Sequence, residues 1–345
     1  MSKPKILIVG CGAVGLSHGY HLAAGADITF LVRPGRKPAF QPPKKLYDYK
    51  EDALHAFENY RVIESPSEVA DEDFLFVFDT LDGHTARSAG GRATLKAVGD
   101  LIRDHTETFV LYDAIGLDME EHYATTMGIS KERLILVMSM LAHQPTKVIS
   151  LPATANTELT AQADMFYVAN FGDKKVLGVP NTRPKLVKII GEAYSKHSAY
   201  GIRVLPAFVG RSAIMVGMLQ LLAASVDGFP PLKGMRANSE LWKLLIKGQG
   251  EILSLPRFGW GGWLSSWLIG SWVTAKTIEG PVEGAKPLPF YEFNAFHHGA
   301  KVIKQDIAVI EEVIAEGEKS KHEMPACREI CRRAAARAEE KGLLS

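Results

Sequence analysis

Near the N-terminus, KILIVGCGAVGLSHGYHLAAGADITFLVR is an apolar strand, a glycine turn, a helix ending near Gly25 and a second strand, which is the pattern of one βαβ unit. Gly10, Gly12 and Gly15 form G-x-G-x-x-G directly after the first strand. In that setting the first glycine serves a tight turn, the second lets the backbone approach a pyrophosphate, and the third lets the following helix pack closely. Ala13 and Val14 belong to the same turn, at the head of a helix whose N-terminus faces the phosphates. The competing reading is a glycine-rich turn that is only structural.

The second strand, Ile28 to Val32, stops on Arg33. A carboxylate there accepts hydrogen bonds from the ribose 2′-hydroxyl of NAD, whereas an arginine accommodates a 2′-phosphate. Arg36 and Lys37 follow within one turn of chain, and a guanidinium fork pairs with phosphate oxygens as no carboxylate could. The order asks for NADP(H), with a solvated basic loop as the alternative.

The chain has 345 residues, 46% hydrophobic and 23% charged, enough for two domains with a core each. A formal net charge of +1 supplies no field to recruit nucleic acid or an acidic membrane, so the expected partner is a small molecule. Cys11, Cys327 and Cys331 show no metal-ligand pairing with histidine, so no metal site is expected. An odd cysteine count suits reduced thiols, and MSKPKILIVG lacks the apolar core of a signal peptide, so the expected location is the cytoplasm.

Further strands are expected at residues 61–64, 74–79, 109–113 and 134–141, separated by helices or loops. The alternation predicts an α/β fold, with a Rossmann-like dinucleotide-binding domain over residues 1–205 and a mostly α-helical C-terminal domain over residues 206–345. In such a sheet ligands bind beyond the carboxyl ends of the strands. Thr80, Leu81, Asp113, Ala114 and Ile115 would then lie along the cofactor toward the nicotinamide, or serve as ordinary turn residues. MFYVANFGDKKVLGV reads as a β-hairpin turning at Gly172 and Asp173, and residues 184–205 as a helix and a last strand. The remainder reads as helices, among them GRSAIMVGMLQLLAASV, SELWKLLIKGQGEILSL, FYEFNAFHHGAKVIKQDIAVIEEVIAEGE and a basic one from Pro325.

The N-terminal stretch through Arg36 resembles the ketopantoate reductase family, and so does the two-domain plan. The resemblance implies reduction of a 2-keto acid by hydride transfer from NADPH in a cleft between the domains. The family's lysine after the third strand is matched here by Thr80 and Leu81, and its glutamine-asparagine-glycine turn by LYDAIGLD. Its proton-donating lysine lies on the first helix of the second domain, where this chain offers Arg211, Ser212 and Gln220 but no lysine or asparagine. The expected substrate is therefore a keto or hydroxy compound other than ketopantoate. An opine-type dehydrogenase and a regulator that senses NADPH without turnover stay open.

A ketone reductase needs a group that donates a proton or stabilises the alkoxide. In EFNAFHHGAKVIKQD, a continuous helix would place Asn294, His298, Lys301 and Gln305 within an arc of about 60°, opposite Phe293, Phe296, Ala300, Ile303 and Ile307. The stripe is either the solvated side or a cleft wall, on which Lys301 or His298 is the acid and Asn294 a carbonyl anchor. RFGWGGWLSSWLIGSW carries four of the five tryptophans, and no charge occurs from Phe258 to Ala275. Its glycines and serines make a poor membrane span, so none is expected. The segment reads as helical core or a subunit interface, which keeps a homodimer through the helical domain open, with a substrate wall or membrane contact as alternatives.

Replacing Arg33 with Asp removes a charge-assisted phosphate contact and adds a repulsive charge. Fluorescence titrations are expected to show NADPH affinity lowered by about tenfold or more with NADH spared; equal wild-type affinity for both cofactors would contradict the reading.

Overall fold

The computed structural model describes residues 3–196, 198–207 and 212–344; Arg211 lies outside them. The chain opens with β1 (Lys5–Val9), α1 (Ala13–Ala23) and β2 (Asp27–Leu31), then runs through β3 (Lys44–Asp48), β4 (Ala53–Phe57), β5 (Tyr60–Ile63) and β6 (Phe76–Asp79). Next come α2 (Gly83–Arg87), α3 (Ala89–Ile102), β7 (Phe109–Tyr112), α4 (Met119–Met127) and β8 (Leu134–Leu136). Six of these strands form one parallel sheet in the order β5-β2-β1-β6-β7-β8, so the direction of winding reverses between β1 and β6. Strands covered on both faces must be apolar throughout, as Ile6 to Val9 are. Alternation then feeds two cores: Ile6, Ile8 and Phe78 face one side, Leu7, Val9 and Val77 the other.

The rest of the first region departs from the expected pattern. The predicted strand over residues 134–141 is three short ones, β8, β9 (Met138–Ser139) and β10 (Leu141–His143), and each joins a different sheet. After α5 (Thr157–Thr160) come β11 (Met165–Val168), β12 (Lys175–Pro180), α6 (Pro184–Ser195) and β13 (Gly201–Leu205). The second sheet has the order β10-β11-β3-β4 and the third β13-β12-β9. The predicted hairpin is corrected as well. Gly172 does turn the chain at φ +129°, but β11 and β12 diverge into separate sheets because each finds other partners, β11 with β3 and β10, β12 with β13 and β9. The β3–β4 hairpin is absent from the sequence reading; it occupies the crossover between β2 and β5, and its sheet closes over α1 through contacts such as His21 with Tyr167.

Beyond Leu205 the described chain is helical: α7 (Ser212–Val226), α8 (Leu232–Ala237), α9 (Ser239–Leu253), α10 (Gly259–Leu268), α11 (Ser271–Ala285), α12 (Phe290–Phe296), α13 (Ile303–Lys319) and α14 (Pro325–Glu340). α7 is apolar around its circumference and lies inside a sleeve of α9, α13 and α14. Gln220 faces this core, where its amide donates to Gln249 Oε1 at 2.7 Å and Thr277 Oγ1 at 2.8 Å. The expected continuous helix over residues 290–318 is interrupted by a π-helical turn at His297–Lys301. The tryptophan-rich segment is a helix, α10, but not core, since Trp260, Trp263 and Trp267 are 79, 54 and 73% exposed. The three cysteines are buried and unpaired.

Asp79, at the end of β6, is buried against Tyr123, whose hydroxyl donates to Oδ2 while Oδ1 has no partner. Burial, with Asp113 and Asp82 adding, pushes its carboxyl up to about 7 against the hydrogen bond from Tyr123. A carboxyl whose folded pKa exceeds its unfolded one contributes stability below about pH 4 that is lost as pH rises through 7. Asp79→Asn keeps an acceptor for Tyr123 and removes the charge. Thermal melts are expected to show the variant several degrees more stable than wild type at pH 8 and little different at pH 4.

Candidate functional site

The glycine turn fills the point where the sheet order reverses. Gly10 has φ +96°, and a Cβ on it would lie 2.7 Å from Thr80 Oγ1. That hydroxyl donates to Val9 O at 2.8 Å, so Thr80 ties the end of β6 to the end of β1. At Gly15 a Cβ would come within 2.2 Å of Gly10 O, which is why α1 can sit so near β1. At Gly12 a Cβ would meet nothing within 4 Å, leaving an open cradle. Gly12 is also the N-cap of α1, no side chain caps it, and the first turn holds no acid. The N–H groups of Ala13 and Val14 at the head of α1 thus suit an anion. A dinucleotide pyrophosphate fits this cradle.

At the end of β2, Arg33 and Arg36 are exposed and make no ion pair among the described residues. Arg36 lies over the Phe40 ring at 5.7 Å. Lys37 instead has a carboxylate partner, Glu68 at 3.3 Å, and Glu64 accepts its backbone N–H at 2.7 Å. Two guanidinium groups without a carboxylate partner among the described residues therefore stand just beyond β2.

α13 docks on the loop that follows β6. Gln305 Oε1 accepts the N–H of Gly83 at 2.5 Å, and Gly83 itself packs so tightly that a Cβ would lie 2.2 Å from Ile115 O. Two turns on, Glu312 pairs with Arg87 and accepts from Leu117 N at 3.0 Å. Arg257, just before α10, adds bonds to Asp118 at 2.8 Å and Leu117 O at 3.3 Å. The first turns of α13 thereby meet the loops that follow β6 and β7, where Thr80, Leu81, Asp113, Ala114 and Ile115 lie. Asp113 is half-buried, and burial pushes its carboxyl up to about 7. A cleft of about 450 Å³ opens past Ala114 and Ile115 toward Ile214 and Met215; neither the glycine turn nor His298 lines it.

His298 Nδ1 is 2.8 Å from Asp306 Oδ2, with the two side chains 14 and 1% exposed. Asp306 Oδ1 has no hydrogen-bond partner among the described residues. With Nδ1 turned to the carboxylate, Nε2 is the free ring atom, and a histidine so held can give or take a proton. Asp306 is missing from the sequence reading because on a regular helix a residue eight positions beyond His298 lies off its face; the π turn adds one residue and brings the two together. The stripe is not the solvated side of a helix, for Asn294 and Gln305 are buried. Asn294 donates to Phe290 O at 2.8 Å. Lys301 alone of the four is exposed, and its charge reaches His143 and His297. Burial, with Lys301 adding, lowers His143 to about 4 against a bond to Gln144 O, and His297 is likewise held well below its usual range.

A doubly wound sheet with a G-x-G-x-x-G turn at its switch point, followed by an all-helical region, is an arrangement of dinucleotide-binding folds. The fold is that of the ketopantoate reductases. It matches 2-dehydropantoate 2-reductase from Geobacter metallireducens GS-15 at a TM-score of 0.66 and 16% identity, over 96% of this chain and 99% of that one. The enzyme from Methylococcus capsulatus matches at a TM-score of 0.63 and 13% identity, over 99 and 98%. A D-mandelate dehydrogenase in ternary complex with NADH and anilino(oxo)acetate matches at a TM-score of 0.66 and 12% identity, over 98 and 99%. No family model and no curated protein sequence matches the chain.

The glycines separate by what surrounds them. Gly15→Ala drives a methyl into a backbone carbonyl and is expected to lower Tm markedly, whereas Gly12→Val is expected to fold with Tm nearly unchanged and to lose binding of either dinucleotide. Melting curves and cofactor titrations of the two variants check both.

Proposed function

We propose that the protein is an NADP(H)-dependent oxidoreductase that interconverts a keto group and an alcohol on a small molecule at the junction of its two domains. The observation that carries the reading is the His298–Asp306 pair, whose aspartate follows directly on Gln305, the residue that docks α13 on the loop after β6. Arg33 and Arg36 favour the 2′-phosphorylated cofactor. Its nicotinamide supplies the hydride when bound.

The chain's own residues handle the proton and the charge. Asp306 holds the His298 ring by Nδ1 and stabilises the imidazolium, so that Nε2 donates a proton to the carbonyl oxygen during reduction and recovers it from the alcohol during oxidation. Lys301, on the same turn, adds positive potential that favours a developing alkoxide. Asn294 commits its amide N–H to Phe290 O and retains its oxygen to orient a substrate hydroxyl or the His298 turn itself. No lysine or asparagine lies along α7, and Gln220 is engaged in the helical core, which favours a substrate other than ketopantoate.

The test is NADPH oxidation by the purified protein over a panel of 2-keto acids and ketones. His298→Asn and Asp306→Asn are expected to lower kcat by roughly 10² to 10⁴-fold and leave NADPH affinity intact, with a smaller loss for Lys301→Met. Tight NADPH binding without oxidation across the panel would instead establish a sensor.

A further inference from the structure

The β3–β4 hairpin brings three metal-ligating side chains to one face of the second sheet. Asp48 and Leu46 point the same way along β3, His55 stands opposite Leu46 on β4, and Glu51 lies in the turn that joins the two strands. The ligating atoms of Asp48, Glu51 and His55 all lie within 4.8 Å of one another, with His55 Nε2 3.7 Å from Glu51 Oε2. The cluster sits where this sheet closes over the last turn of α1: Tyr20 stacks on His55 at 5.2 Å, and His21 meets the Tyr200 ring at 4.3 Å. The glycine turn is at the other end of the same helix.

Asp48 is fully buried, and the groups bonded to it are neutral, for Tyr200 donates to Oδ2 at 2.6 Å and the N–H of Lys50 to Oδ1 at 2.8 Å. No lysine or arginine among the described residues pairs with it. A buried carboxylate is ordinarily paired with a cation or bound to a metal. Two further polar atoms in the pocket lack a partner. Tyr167, aligned with Asp48 in the pairing of β11 with β3, is buried, and its hydroxyl makes no hydrogen bond among the described residues. The Asp48 charge nevertheless reaches it, since burial and then that charge raise the phenol well above its ordinary range. His21 is 3% exposed, and its Nε2 is likewise unpartnered. Burial, with His55 adding, lowers its ring to about 3, so near neutral pH it is an uncharged imidazole.

We infer that Asp48, Glu51 and His55 bind a zinc ion, which clips β3 to β4 across their turn. Two carboxylates balance its charge. One imidazole with two carboxylate oxygens suits zinc, whereas magnesium and calcium take oxygen ligands. Ligands about 2.1 Å from one tetrahedral ion stand about 3.4 Å apart, so Glu51 and His55 are nearly in place and Asp48 closes by side-chain rotation. The fourth position is left to water. A water there accepts from Tyr167 Oη and donates to His21 Nε2, which gives both atoms the partner they lack. Glu51 gives up its 3.5 Å contact with Lys174, an exposed pair worth little. The cysteines, on which the expectation of no metal rests, take no part.

The test uses the full chain, stripped of metal by a chelator. Titration calorimetry is expected to show a single Zn²⁺ bound and no Mg²⁺ at the same concentration, and thermal melts a Tm that rises with free zinc. Glu51→Gln and His55→Gln alter side chains 35 and 25% exposed; each is expected to weaken zinc at least about tenfold with an unchanged circular dichroism spectrum. His105→Gln, in the surface pair with Asp73, is expected to leave zinc binding unchanged. X-ray absorption at the zinc edge of wild type is expected to show one imidazole among oxygen ligands, and it depends on neither variant folding. No saturable zinc binding, sulfur or a second imidazole bound to the ion, or wild-type affinity in Glu51→Gln and His55→Gln overturns the proposal.

Discussion

The bond from Gly83 N to Gln305 Oε1 is the hinge pin of the molecule. It fixes the start of α13 to the loop after β6, and only a glycine fits there because Ile115 O occupies the place of a side chain. Glu312 and Arg257 extend the same seam along the loop after β7. Asp306 follows directly on Gln305, so the seam also fixes the start of the helix that carries the His298–Asp306 pair. The glycine turn is correspondingly fixed from the sheet side, through Thr80 and Val9.

What is legible in the sequence is what local spacing encodes. Gly10, Gly12 and Gly15 declare their roles because strand, turn and helix follow within one short segment, and the open or crowded surroundings of each glycine agree with those roles. The apolar runs Phe76 to Phe78 and Phe109 to Leu111 fall in β6 and β7, strands buried on both faces. The site on the helical side is less legible, since its geometry depends on a break in the helical period. A regular helix predicts a stripe of Asn294, His298, Lys301 and Gln305; in the structure Lys301 is exposed, and the π turn brings Asp306 to His298. The β3–β4 hairpin escapes notice because its partner, β11, lies more than a hundred residues away. The tryptophan segment is recognisably helical, but which way its face points is a matter of tertiary packing.

Several polar groups retained inside the molecule lie near the strand ends. Asp79 and Asp306 each keep one buried carboxylate oxygen without a partner, and Asp113 sits close by with its acid strength reduced by burial. Such groups oppose folding, and a packed apolar residue in any of these places would be more stable. Asp79 and Asp113, at the ends of adjacent strands, mark this rim as a part of the molecule arranged for something other than stability.

The run from Leu134 to His143 passes through all three sheets in ten residues, with Val137 and Met140 as the joints. Side chains alternate along each piece, so one inserted or deleted residue between Leu136 and Leu141 would invert the facing of whatever follows. In most α/β proteins such a change is absorbed in a loop. Here there is no loop to absorb it, and the error would pass at once to the pairing with β12 and with β11. This stretch should therefore accept substitutions of similar shape while holding its length invariant, so that in any set of descendants of this chain the gaps would fall elsewhere.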